Sequence, residues 1–242
     1  MTRRLVVGAG TIVPGERSLD AELAHYLRDV LRLPVGSPLE LTDGEGVRAR
    51  ATIRAIERRA VRIDIEAIER EPRPRGPAVT LLQAVGKGDK VDAVVRQAAE
   101  LGVARIVPVV TRRAVAEREK RVLRWQGIAD DALRVSGRCH RTRIEPVTPL
   151  AAALGGSRAS LSLCPDLGAS RALRDILSQA GNPGTVEVLI GPEGGFEPEE
   201  RAAVEGAGFL RVSLGPFTLR TETAGPALIA ILQYVLGALD PS

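Results

Sequence analysis

Two stretches in the last third of the chain constrain its fold more than any others: VEVLIGPEGGFEPEE (Val186 to Glu200) and VSLGPFTLRTETAGPALIAIL (Val212 to Leu232). Each opens with an apolar, β-branched run short enough to be a buried strand. Each run breaks into a loop too rich in Gly and Pro for helix or strand, and each loop leads into a helical segment. The two strand-loop-helix units lie about 25 residues apart, with both loops leaving the carboxyl ends of their strands. If the strands are parallel neighbours, the loops share one crevice, where open α/β sheets bind ligands.

The loops suit that role. Gly191, Gly194 and Gly195 let backbone amides approach a ligand and permit positive φ. Pro192 and Pro216 stiffen the loops and lower the ordering cost of binding. Leu219 to Thr223 then places a cation, a carboxylate and two hydroxyls on five consecutive residues. A single Gly-Pro after a strand is usually only a turn. Two in tandem, one running into Arg-Thr-Glu-Thr, point to a ligand site. Familiar alternatives are missing. Gly191 to Phe196 is not G-x-G-x-x-G, and Gly86-Lys87 lacks the flanks of a phosphate-binding loop. Two His and two Cys, with Cys139 next to His140, give no zinc spacing. No nucleophile elbow accompanies His25 or His140.

The first 70 residues read as a small β domain. Val47 to Ile53 and Val61 to Glu66 alternate apolar and polar residues, as half-buried strands do, and Glu57-Arg58-Arg59 is the hairpin break between them. A short helix is predicted between Ser18 and Leu33, capped by Ser18 or Asp20 and stopped by Pro34, with Leu23, Leu27, Val30 and Leu31 on one face. Pro72, Pro74 and Pro77 make an extended linker, giving domains at 1–71 and 78–242 with the linker at 72–77. From Ala78 onward strands alternate with helices, which argues an α/β fold with a mostly parallel sheet. The last helix, Ala227 to Leu239, is apolar nearly all round and needs cover on every side; a second copy of the chain would provide it. That run is also too short for a membrane span, and nothing resembles a signal peptide, so a cytoplasmic protein without membrane or metal is expected.

Charge is divided along the chain. Residues 1–75 hold 14 Lys and Arg against 12 Asp and Glu, residues 76–145 hold 14 against 8, and residues 146–242 hold 6 against 10. A polyanionic partner would prefer the first 145 residues. The candidate contacts are Arg3, Arg4, His25, Arg28, Arg32, Lys87, Arg112, Arg113, Arg138, Arg141 and Arg143, densest in Arg138 to Arg143. Aromatic residues make up 2% of the chain, so such binding would lean on phosphates and be salt-sensitive.

Leu189-Ile-Gly-Pro-Glu-Gly-Gly-Phe196 with Leu214-Gly-Pro-Phe-Thr-Leu-Arg-Thr-Glu-Thr-Ala224 closely resembles the bacterial ribosomal small-subunit RNA (16S) uridine-N3 methyltransferase family of the SPOUT superfamily. His25 with Val30-Leu31-Arg32, Lys87 with Glu100 to Val103, and Ser136-Gly137-Arg138 are similar to further family segments. Arg134-Val135 stands where the family usually has Glu-Gln, and Gly225-Pro226 where it has a helix former. The resemblance implies a PUA-like β-barrel RNA-binding domain, a methyltransferase domain with a deep trefoil knot, and a homodimer. It also implies S-adenosylmethionine as cofactor and the small ribosomal subunit as partner.

On that resemblance three loops would grip the cofactor: Leu163, Cys164 and Pro165; Ile190, Gly191, Pro192, Gly194 and Gly195; and Leu214, Gly215, Leu219, Thr221, Thr223 and Ala224. Methylation of an imide nitrogen needs positioning and stabilisation of charge on the ring carbonyls. Arg220 is the first candidate for that charge, and Glu193 or Glu222 for the proton. Glu222 reads equally well as a structural partner of Arg220 or of a backbone amide. Methylation of another RNA position, and a non-catalytic RNA-binding or ribosome-assembly factor, remain alternatives.

Overall fold

The computed structural model describes residues 3–58, 60–86, 89–112, 119–156 and 159–239. The chain forms two compact units. One comprises the residues up to Arg73 together with Leu133–Arg141, the other Pro74–Ala132 together with the residues from Thr142 onward.

The first unit is a five-stranded sheet among the described residues. Its strands are β1 (Arg3–Val6), β2 (Gly15–Ser18), β3 (Pro38–Thr42), β4 (Val47–Ile56) and β5 (Val61–Arg70), in the order β1-β3-β4-β5-β2. Only β1 pairs in parallel; the other pairs are antiparallel. The period-2 pattern does what it dictates. Ala49, Ala51 and Ile53 of β4 and Val61, Ile63 and Ile65 of β5 are buried, while Arg50, Arg54, Arg62 and Glu66 face out.

Helix α1 (Ala21–His25) is capped by Asp20, whose carboxylate accepts from the Leu23 N–H at 2.8 Å. It passes directly into a π-helical turn at Tyr26–Val30. That wider turn rotates the later positions, so Leu27 is buried but Val30 is exposed, contrary to the single apolar face expected. The chain leaves this segment through Arg32 at φ 51°, the left-handed region.

The second unit is a parallel α/β sheet. Along the chain run β6 (Ala78–Ala84), α2 (Lys90–Glu100), β7 (Arg105–Val110), α3 (Glu119–Ser136), β8 (Arg143–Ile144), β9 (Thr148–Pro149) and α4 (Leu150–Gly155). Then follow β10 (Leu161–Pro165), α5 (Leu173–Ala180), β11 (Thr185–Ile190), α6 (Pro198–Gly206), β12 (Leu210–Val212) and α7 (Thr221–Val235). The strand order is β12-β10-β11-β6-β7-β8, with β9 also on β7, and every pair is parallel.

The central strands read as continuous apolar runs because both faces are covered. Leu81 and Val188 point into one core with Val94 and Val95 of α2 and Leu228 of α7. Their chain neighbours Leu82 and Leu189 point into the other with Leu150 of α4 and Val204 of α6. Trp125 of α3 is 1% exposed and donates its indole N–H to Asp92 of α2 at 2.9 Å.

Helix α7 begins at Thr221, earlier than the apolar run suggested, and carries Pro226 inside it. Its Leu228, Ile229 and Leu232 are buried, whereas Ile231, Tyr234 and Val235 are exposed, so the described residues do not cover it on every side. No helix of the described residues is long and apolar enough to cross a membrane.

Candidate functional site

Placing β10 between β11 and β12 brings three loops together at the carboxyl ends of adjacent strands. They enclose a cavity of about 460 Å³, within the usual range for small-molecule sites. Pro165, Asp166 and Leu167 line it from the loop after β10. Ile190, Gly191, Pro192, Glu193, Gly195 and Phe196 line it from the loop after β11, and Ser213 to Gly215 with Phe217 to Glu222 make the third wall, with Ala224 behind them. Lys90 from α2 and Arg201 from α6 complete the lining.

The loop after β11 is built by local rules. Gly195 N–H donates to Pro192 C=O at 2.9 Å, closing a turn that Gly195 finishes at φ +69°. Gly191 has no room for a side chain, since a Cβ there would lie 2.8 Å from the Phe196 ring. The turn feeds α6 through a capping box between Glu197 and Glu200, with Pro198 in the first helical position.

The loop after β10 is held by Asp166. Arg211 of β12 approaches its two carboxylate oxygens at 3.2 and 3.1 Å, and the Gly168 N–H donates to it at 2.8 Å. Burial alone would raise the Asp166 carboxyl, but Arg211 and the Gly168 amide outweigh it and hold the group below its ordinary value. Asp166 thus pins the first loop to the strand that leads into the third. In that third loop Gly215 takes φ +122° beside Pro216.

Electrostatics converge at the cavity wall. Lys90 Nζ donates to Glu193 Oε1 at 3.0 Å. This bond, with the residue's own backbone amide, holds Glu193 below the usual carboxylate range, and the same bond raises Lys90. Arg220 is the N-cap residue of α7, with its side chain 83% exposed and its guanidinium 3.9 Å from Glu222. Glu222 lies in the first turn, and its carboxylate is lowered chiefly by its own backbone N–H. Lys90 and Arg220, with the carboxylates of Glu193 and Glu222, therefore share the wall with apolar Ile190, Leu214 and Leu219.

Most of the residues expected from the sequence meet here. Arg220, Glu193, Glu222, Pro165, Ile190, Gly191, Pro192, Gly195, Leu214, Gly215, Leu219, Thr221 and Ala224 all line the cavity. Leu163, Cys164, Gly194 and Thr223 are not part of the lining. Leu163 and Cys164 belong to β10, which runs to Pro165, and their side chains fill the two opposite cores. Burial pushes the Cys164 thiol up to about 12. Lys90, Asp166, Leu167, Phe196, Arg201 and Phe217 were not anticipated.

The basic candidates divide between the units. In the first, Arg3 and Arg32 are exposed and Arg4 pairs with Glu40 at 3.0 Å. His25 and Arg28 both bind Asp29, and Arg28 holds that carboxyl down at about 2. Arg138 and Arg141 are partly buried, and desolvation lowers the Arg138 pKa. In the second unit Arg112 pairs with Glu199, and Arg143 is exposed on β8. Lys87 and Arg113 lie outside the described residues. Among the described residues no cluster of His, Cys, Asp and Glu is placed to hold a metal ion.

Residues 73–233 match the RNA methyltransferase domain family, and residues 19–66 the RNA methyltransferase PUA domain. The chain belongs to the RNA methyltransferase family. It is 30% identical to the ribosomal RNA small subunit methyltransferase E of Synechocystis, over 98% of this chain and 78% of that one. It is equally similar to the protein of that name from Mycobacterium bovis, over 97% and 90%. The methyltransferase E of Neisseria gonorrhoeae, solved bound to S-adenosyl methionine, superposes with a TM-score of 0.89 at 28% identity, covering 97% of this chain and 98% of its own. A Legionella pneumophila protein, solved with the same cofactor, gives 0.89 at 31% identity over the same shares.

Proposed function

We propose that this family member transfers a methyl group from S-adenosylmethionine to N3 of a uridine in the 16S RNA of the small ribosomal subunit. The observation that carries the reading is the convergence of the Gly-Pro-Glu-Gly-Gly and Leu-Arg-Thr-Glu-Thr loops on one cavity of suitable size. Two relatives that share the fold over nearly their whole length bind that cofactor, and the relatives named methyltransferase E act on small-subunit RNA.

The residues present fit the cofactor. The Gly191 backbone is bare where a Cβ could not be placed, Ile190, Leu214 and Leu219 offer apolar cover, and Glu193 and Glu222 offer negative charge to a sulfonium. When bound, the cofactor supplies an electrophilic methyl group. The chain's own part is to hold the base in line and to stabilise charge that spreads from N3 onto the ring carbonyls. Arg220 donates to a carbonyl oxygen as that charge develops. Glu193 or Glu222, both ionised, takes the N3 proton.

Around this reading we place the rest. The PUA-type unit and Arg138 to Arg143 contact RNA phosphates. The exposed Ile231, Tyr234 and Val235 of α7 are covered in a homodimer. The C-terminal segment carrying β12 and α7 forms the trefoil knot of the SPOUT superfamily, and the protein works in the cytoplasm. The test is transfer from labelled S-adenosylmethionine to small subunits from a strain lacking this gene, with the product nucleoside identified by mass spectrometry. N3-methyluridine is the expected product; another nucleoside would move the enzyme to a different target, and no transfer would leave an RNA-binding factor.

A further inference from the structure

Phe217 is 80% exposed on the loop before α7 and lines the cavity. The chain has three Phe, one Trp and two Tyr. Phe209 and Trp125 are buried in the cores, and Phe196 packs on Gly191. An aromatic ring left in water forgoes the largest burial gain a side chain can make. The backbone before Phe217 is restricted at Pro216, and Gly215 turns the chain at φ +122°. Leu167, 77% exposed, lines the same cavity from the loop after β10. Three residues beyond Phe217 stands the exposed Arg220. The cavity wall therefore offers a flat apolar face and, close along the chain, a cation for a polar edge.

A pyrimidine has that combination of surfaces. A base taken out of an RNA stack to reach a cleft loses its neighbours and gains from a replacement ring. We infer that Phe217 is the platform on which the target base stacks while Arg220 meets its carbonyl edge. This inference rests on the methyltransferase reading and adds to it a positioning residue for the RNA base, on the third of the loops that line the cavity.

The test compares wild type with Phe217→Ala, Phe217→Leu and Phe217→Trp in the full-length protein. Methyl transfer to unmodified small subunits, calorimetric affinity for S-adenosylmethionine and sedimentation are measured for each. Phe217→Ala should lower kcat/KM for the subunit roughly ten- to hundredfold, mainly through KM, with cofactor affinity unchanged. Phe217→Trp should restore activity and Phe217→Leu should not, because stacking needs a ring and not merely apolar bulk. The introduced indole should be quenched by a 16S transcript.

Full activity of Phe217→Leu, loss of cofactor affinity in Phe217→Ala, or a change in association state alone would each overturn the assignment, the last in favour of a subunit contact. Quenching of the Phe217→Trp indole without methyl transfer by wild type would keep the platform and remove the reaction. Transfer by wild type with Phe217→Ala unimpaired would do the reverse, and failure of both would remove both.

Discussion

Lys90 Nζ donates to Glu193 Oε1 across 3.0 Å and ties the first turn of α2 to the loop after β11, a separation of 103 residues in the chain. The folded carboxyl lies below its ordinary value, so its contribution is present above the unfolded pKa and is lost as pH falls through the folded one. The folded ammonium lies above its ordinary value, so its contribution is present at neutral pH and is lost as pH rises through the folded one. The pair thus holds across the whole neutral range. Lys90→Met should move the Glu193 titration up toward that of a free glutamate, read by carboxyl-carbon NMR. An unmoved titration would mean that the bond does not form in solution.

Arg220→Ala should lower kcat for methyl transfer by about 10²- to 10³-fold, the usual effect of removing a donor aimed at developing negative charge. Cofactor affinity, measured by calorimetry, should change little, because the guanidinium reaches outward. Arg220→Lys should recover only part of the rate, since an ammonium cannot present the planar fork. Wild-type turnover in the alanine variant would take Arg220 out of the reaction.

Gly191→Ala places a methyl 2.8 Å from the Phe196 ring, which must yield. Overpacking of this kind costs about 1–3 kcal/mol. Thermal unfolding should show the loss, and cofactor affinity should fall with it because Phe196 and Gly191 both line the cavity. A variant of unchanged Tm and affinity would show that the loop has slack.

The buried Trp125 indole has Asp92 as hydrogen-bond acceptor. Asp92→Ala strands that N–H in the core and should cost about 1–3 kcal/mol in urea unfolding, and Asp92→Asn should cost less because its side-chain oxygen still accepts. Equal losses in the two variants would point to the Arg124–Asp92 ion pair, which both remove, instead of the indole bond.

Much of the second unit could be read directly from the chain. Strands β6, β7, β10 and β11 are apolar runs because they are covered on both faces, and the stripe Val91, Val94, Val95 and Ala98 marks α2. The first unit was half legible. β4 and β5 alternate cleanly, but β2 (Gly15–Ser18) has no buried residue and exists only because β5 offers it a pairing edge. The π turn after α1 left no mark in the apolar spacing. In the site, the Gly and Pro loops were visible because their backbone demands are written in residue type. Lys90 and Asp166 were not, because each acts on a residue far away in sequence, Glu193 and Arg211. Phe217 stood within the motif and escaped notice, since exposure is a property of the folded chain.

The place of β10 between β11 and β12 makes ligand capture a property of the sheet edge. The third wall follows β12, which pairs with the outer edge of β10 and whose Arg211 holds Asp166 of the first loop. A cavity drawn from three neighbouring strands is whole only when all three are paired. Cofactor retention is therefore a report on the integrity of the sheet edge, and a chain that holds ligand has β12 in place.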